Sequence, residues 1–407
     1  MVWWLARARI ARKSAAGLEC RIVHSRRCLA VRVPSPLGIS FLLICVVLPL
    51  CWPDDEDPQA PRPQAELRVS SDVKCLAISR DGRSLAASSW AQPVVLWRRQ
   101  GWSEWRPSLL FGQETSGARV VAFAPDGRSL ACGNLDGTVV VHPLAAEERL
   151  RILDSGSLEV RALAFSPDGR TLATATSDSG IRIWNLERGG VEKVLRNDGG
   201  FVNALVFSPD GGKLVAGGED GGVRLWTLSG SCEGETIGRH EGVVLAIAYH
   251  PRGGRIASAG TREGVVRLWS DTAGGNQGIL PGTSEAICAL AFAPDGALLA
   301  LGGEHGRWTL CSLVGDGARR TIEAHQGWVK CLVFSSDGGT LVSAGNDGCI
   351  KLWRLAEVGL RDEPPAADRP VGAAGWERGI LTSPTLLPER SRRPMASSRE
   401  PSSIGPS

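Results

Sequence analysis

Apolar and polar residues alternate in short runs along most of the chain, and Pro-Asp-Gly or Asp-Gly breaks the runs. A period of two with such breaks predicts strand–turn–strand patterning. Asp-Gly suits a tight hairpin because Gly accepts a positive φ without steric cost. No sustained helical stripe crosses this region. The expected fold class is therefore all-β.

The runs repeat. ALAFSPDGRTLATA at 162–175 has near copies in ALVFSPDGGKLVAG, ALAFAPDGALLALG and VVAFAPDGRSLACG. Its turn Asp falls at Asp81, Asp126, Asp168, Asp210, Asp295 and Asp337, and Arg252 fills the one missing place. That makes seven copies about 42 residues apart. Some sixteen residues after each Asp comes an apolar run closed by Trp97, Trp184, Trp226, Trp269 or Trp353, with His142 and Cys311 at that place in copies two and six. Four short strands in such a period make one propeller blade.

These residues resemble the tryptophan–aspartate (WD) repeat family, over roughly residues 65–356, and the repeats look bacterial in type. The resemblance implies a seven-bladed β-propeller. It also implies a buried tetrad of His, Ser or Thr, Asp and Trp in each blade. Copy seven has all four, in His325, Ser343, Asp347 and Trp353. Copy five has His240, Ser258 and Trp269, with Glu263 in the Asp place; copy three keeps Thr174, Asp178 and Trp184; copy four keeps Asp220 and Trp226. Copies one, two and six are degraded, with Ala87, Ala91, Leu301 and His305 at tetrad places. A buried Trp N–H needs an acceptor, which a hydroxyl supplies. The same His, Ser and Asp could be read as a hydrolase triad, but the set recurs with a core Trp and without a nucleophile motif.

In the family the first strand completes the last blade, which disposes of two free sheet edges. Ala65–Val69 (AELRV) aligns with the outer-strand segments GETIG and RRTIE, and Glu66–Val69 is expected beside Cys349–Arg354 in blade seven.

Composition adds less. Of 407 residues, 14 are Trp and one is Tyr, as a repeated unit built on Trp would require. Lys and Arg number 46 against 43 Asp and Glu, a net charge of +3. A nucleic-acid binder would show a basic stripe instead, so no nucleic-acid partner is expected. Eleven Cys lack CxxC spacing, which argues against a zinc or disulfide framework. No cofactor and no metal are expected.

The ends read differently. Residues 1–36 are basic, and residues 37–52, LGISFLLICVVLPLCW, form an uncharged run of 16. That length lies between a signal core and a span of about 20 residues. With basic residues before it and Asp54, Asp55, Glu56 and Asp57 after it, membrane anchoring or export of the propeller is expected, with a cytoplasmic location otherwise. Residues 53–64 read as a Pro-rich linker and 357–407 as a disordered tail.

Loops at the rims of a rigid disc carry function. The resemblance implies three upper-face places per blade. They fall on Asp72, Lys74 and Trp90; Arg119 and Leu135; Glu159, Arg161 and Ser177; Phe201, Asn203 and Glu219; Val243, Leu245 and Arg262; Glu304; and Trp328, Lys330 and Asn346. Trp and Arg dominate interface hot spots. The quadrant of Trp90, Trp328, Lys74, Lys330 and Arg119, with Phe201, is therefore the first candidate for a protein or peptide contact. Trp102 and Trp105, in the extra residues of RRQGWSEWRPSLL, are expected in a polar loop as a second candidate. The function expected is a non-catalytic interaction scaffold on a monomeric propeller. An anchored sensor or ligand-binding propeller of an envelope or signalling system, and a propeller enzyme, stand as alternatives. The chain shows no G-x-S-x-G, P-loop or H-E-x-x-H.

Overall fold

The structure is a computed structural model. It describes residues 13–14, 17–18, 61–89, 92–100, 104–111, 117–145, 150–156, 158–272, 276–282, 286–315 and 317–359. The chain divides into two units, residues 1–60 and 61–407. In the first, Lys13–Ser14 pairs with Gly17–Leu18, and nothing else of that unit is described. The hydrophobic segment 37–52, most of the linker and most of the tail lie outside the described residues.

The second unit holds seven four-stranded antiparallel sheets, one for each repeat. It is a seven-bladed β-propeller. Blade three shows the pattern: Val160–Phe165, Thr171–Thr176, Ile181–Asn185 and Gly190–Leu195 pair in order from the centre outward. The expected closure is present. Ala65–Arg68 pairs with Cys349–Arg354 in the register Ala65↔Leu352, Glu66↔Lys351, Leu67↔Ile350 and Arg68↔Cys349. The first strand thus becomes the outer strand of blade seven.

The core follows from the alternation. One face of each sheet meets the blade before it and the other the blade after it. The buried apolar residues accordingly form seven clusters, each straddling one seam between neighbouring blades. Trp226, for example, packs with Ile181 and Ile183 of the preceding blade. No blade has a core of its own, so the ring is the smallest unit that buries every face.

The turns lock the lower face. In blade three the Ser166 hydroxyl donates to Asp168 at 2.6 Å, and Asp168 accepts the Arg170 backbone N–H at 3.0 Å. Gly169 takes φ 72°, which this turn requires. A β-carbon added there would lie 3.5 Å from Cδ of Pro125 in the neighbouring turn.

Four expectations need correction. The extra residues of blade one do not form a polar loop around Trp105. They lengthen a hairpin, Val94–Gln100 with Glu104–Phe111, and Trp105 pairs with Arg99. Trp105 is half-buried and packs, like Ala65, Leu67 and Ile78, on the apolar cluster between blades seven and one. Trp102 lies outside the described residues. Second, blade six supplies a core Trp after all. Trp308 is fully buried and meets Trp353 edge-on at 5.5 Å, while Cys311 faces blade five. Third, ordered chain continues past the last strand as one helical turn, Leu355–Val358, with Val358 buried between blades six and seven. Fourth, membrane anchoring or export through residues 37–52 is not supported. Among the described residues no helix is long and apolar enough to cross a membrane, and the segment itself is shorter than a span needs.

Candidate functional site

The tetrad of blade seven is complete. Trp353 Nε1 donates to Ser343 Oγ at 2.9 Å, Ser343 Oγ lies 2.8 Å from His325 Nε2, and His325 Nδ1 lies 3.0 Å from Asp347. Asp347 also accepts the backbone N–H groups of Gln326 and Cys349. Every member is satisfied when Ser343 donates to a neutral His325 that in turn donates to Asp347. Burial pushes the His325 pKa down, against the pull of Asp347. Ser343 is fully buried and its oxygen is occupied by the Trp353 N–H, so it is a structural hydroxyl and not a nucleophile. His325 follows the outer strand of blade six, so the tetrad ties two blades together.

The other copies depart from that plan in readable ways. In blade five, Ser258 Oγ accepts the Trp269 N–H at 2.6 Å and lies 2.7 Å from His240 Nε2. Glu263 stands 3.4 Å from His240 Nδ1, but its aligned bonds go to Arg267 Nε and the Glu241 N–H. Burial drives the His240 pKa down to about 4. In blade three, Thr174 accepts the Trp184 N–H at 2.9 Å. Asp178 has no His to hold and takes Arg182 at 2.8 Å. Asp220 likewise takes Arg224 in blade four. There the hydroxyl place is Ala216, and the buried Trp226 Nε1 has no hydrogen-bond partner. These groups hold the blades. None is aimed at a ligand.

The working surface is built elsewhere. Each inner strand carries a β-bulge near its start, and the seven bulged residues are Lys74, Arg119, Arg161, Asn203, Leu245, Cys288 and Lys330. A bulge inserts one extra residue and re-aims its side chain. All seven line the central channel, a space of about 570 Å³ bounded by the inner strands of all seven blades.

Polar contacts organise the mouth. Arg119 Nη1 donates to Glu159 at 2.5 Å, and the same carboxylate lies 3.6 Å from Arg161. Arg161 donates twice to Asn203 Oδ1, at 3.3 and 2.9 Å, and lies 5.1 Å from the Phe201 ring. Across the ring, Lys330 Nζ sits 3.9 Å from the Trp328 ring centroid, and Lys74 lies 3.5 Å from Asp72. Burial lowers the pKa of Lys330, and the nearby charge of Lys74 lowers it further.

Of the expected quadrant, the structure brings Lys74, Lys330 and Arg119 to one channel mouth and places Trp328 beneath Lys330. Trp90 lies outside the described residues. Phe201 belongs with Arg161 two blades away from Lys74. Glu159, one of the upper-face places that the family spacing implies, joins Arg119 to Arg161. The signal that finds the ring is simple: each bulged residue stands seven positions before the turn Asp or its replacement.

A scan against protein-family models matches the WD domain, G-beta repeat, at residues 107–142, 148–185, 190–227, 230–270 and 318–354. Five of the seven repeats thus match the WD40 repeat, and the fold is the β-propeller that such repeats build. Among similar proteins, DDB1- and CUL4-associated factor 13 of Dictyostelium discoideum is 48% identical over 48 residues, 12% of this chain and 10% of that protein. WD repeat and SOCS box-containing protein 1 of Xenopus tropicalis is 30% identical over 94 residues, 23% of this chain and 22% of that protein. Protein HIR1 of Mycosarcoma maydis is 33% identical over 81 residues, 20% of this chain and 8% of that protein. The chain thus matches less than a quarter of the length of each relative. WD40 propellers serve generally as protein–protein interaction scaffolds. Among the described residues no group of three or more His, Cys, Asp and Glu could hold a metal.

Proposed function

We propose that this protein is an interaction scaffold whose upper face, around the channel mouth, binds a protein partner. The observation that carries the reading is the ring of bulged residues. Seven separate strands deliver one side chain each to a single mouth, with Phe201 and Trp328 flanking two of the cations. Half-buried aromatic groups beside preorganised cations are the ingredients of a hot spot. The buried His, Ser and Asp sets are occupied in structural bonds, which supports a scaffold over an enzyme. Fold alone does not select the partner, because propellers share a frame and differ in their loops. The bacterial type expected of the repeats gains no support from the three named relatives, all of which are eukaryotic.

The test is affinity capture by the full chain beside a Phe201→Ala/Trp328→Ala form of equal melting temperature, with captured proteins identified by mass spectrometry. Partners held by the first and lost by the second support the upper face. Equal capture by both rejects it.

A further inference from the structure

The ring of bulged residues is lopsided. Blades seven, one, two and three are consecutive round the ring and carry Lys330, Lys74, Arg119 and Arg161; the remaining three carry Asn203, Leu245 and Cys288. One half of the mouth is a cationic arc and the other half has no charge at these places.

The acids beside the arc do not neutralise it. Glu159 is shared by the guanidinium groups of Arg119 and Arg161, and Glu219 acts on Arg161 as well, so with Asp72 three carboxylates stand against four cations and one positive charge is left over. Asp72 is half-exposed at 3.5 Å from Lys74, and such a pair is weak in water. Lys330 has an aromatic face under it at 3.9 Å. Like charges also crowd one another: Lys74 disfavours the charged form of Lys330, and Arg119 that of Arg161, both on top of the cost of burial. An incoming anion relieves both repulsions. Arg161 is already held by two bonds to Asn203, so little ordering is needed to receive it.

We propose that this arc binds a carboxylate-rich, extended segment of a partner protein. The proposal rests on the upper-face reading above and names the chemistry of its partner. The four cations come from four different strands spaced round a mouth, a layout that meets successive side chains of a peptide better than one small anion. A nucleic-acid strand fits less well. Four cations confined to one mouth release few counterions, where a strand of phosphates calls for a longer basic track.

The experiment is fluorescence anisotropy with the full chain and labelled decaglutamate, a Gly-Ser peptide of equal length and an oligouridylate. Decaglutamate should bind at least about tenfold more tightly than the Gly-Ser peptide, and a Lys74→Gln/Lys330→Gln form should lose about that factor. A charge-matched Arg83→Gln/Arg128→Gln form, altered in the lower-face turns, should keep its affinity. Equal loss in both variants, or tighter binding of the oligouridylate, overturns the proposal. Should the upper-face variant melt early, wild-type affinity is measured at rising ionic strength. A steep fall supports the arc and a flat response overturns it. Capture of partners that depends on Phe201 and Trp328, with no decaglutamate binding, removes the acidic ligand but leaves the upper-face reading intact.

Discussion

His325 Nε2 lies 2.8 Å from Ser343 Oγ, and this bond joins the end of blade six to the second strand of blade seven. The same oxygen accepts the Trp353 N–H. One hydroxyl therefore satisfies two buried groups at a seam that Asp347, bonded to His325 and the Gln326 N–H, and Lys351, donating to the Ala324 carbonyl, also tie together.

Ser343→Ala should cost about 2–4 kcal/mol in urea unfolding, because two buried polar groups lose their partner. The reverse experiment exists in blade four. Ala216→Ser offers an acceptor to the orphaned Trp226 N–H and should stabilise by about 0.5–1.5 kcal/mol. A stability gain from Ser343→Ala, or a loss from Ala216→Ser, would contradict the account of the tetrad.

Acid should weaken the fold from the histidines first. The His240 pKa is pushed down to about 4 by burial, below the usual value of 6.5, and that of His325 is pushed down by the same cause. The unfolded chain takes up these protons before the folded one. The stabilisation is complete above pH 6.5 and is lost as pH falls toward 4. The urea midpoint should be level at neutral pH and decline through that window. A His240→Asn form should be less stable at neutral pH and decline less steeply. A wild-type midpoint that holds constant across the window would refute this.

Glycine at the seam is required by space as well as by φ. Gly306 adopts φ 73°, and a β-carbon there would collide with the His325 carbonyl oxygen. Gly306 O also accepts the backbone N–H groups of Ala324 and His325. Gly306→Ala should therefore displace His325 and cost more than about 1 kcal/mol, above the usual helix or strand penalty. Gly189→Ala, at φ 71° with open space around it, separates the two causes because it carries the φ strain alone. Equal losses at both positions would show that the close approach does not matter.

The closing strand gives a prediction about assembly. Removing residues 1–70 deletes Ala65–Arg68 and bares the edge of Cys349–Arg354. The melting temperature should fall by several degrees, and the exposed edge should promote self-association. An unchanged melting curve, with a monomer by light scattering, would mean that blade seven stands without its fourth strand.

The sequence by itself determined the blade. Strand alternation, the turn Asp and the closing Trp are local patterns, and each recurs within one repeat. Their spacing fixed the number of copies and marked Ala65–Val69 as a spare outer strand. The tetrad of blade seven was legible for the same reason, since its four residue types stand at family spacing. Of the seven residues at the axis, six stand among the upper-face places that the family spacing implies, and Cys288 does not. Trp105 looked like a loop residue because hairpin length depends on strand pairing, and Trp308 was hidden because its partner Trp353 lies 45 residues away in the next blade. The cationic arc depends on bulges that turn one side chain per strand inward, and on a closure that sets Lys330 beside Lys74 although they stand at opposite ends of the propeller sequence. Local periodicity encodes the unit; which units become neighbours, and which side chains then share one mouth, is settled only when the ring closes.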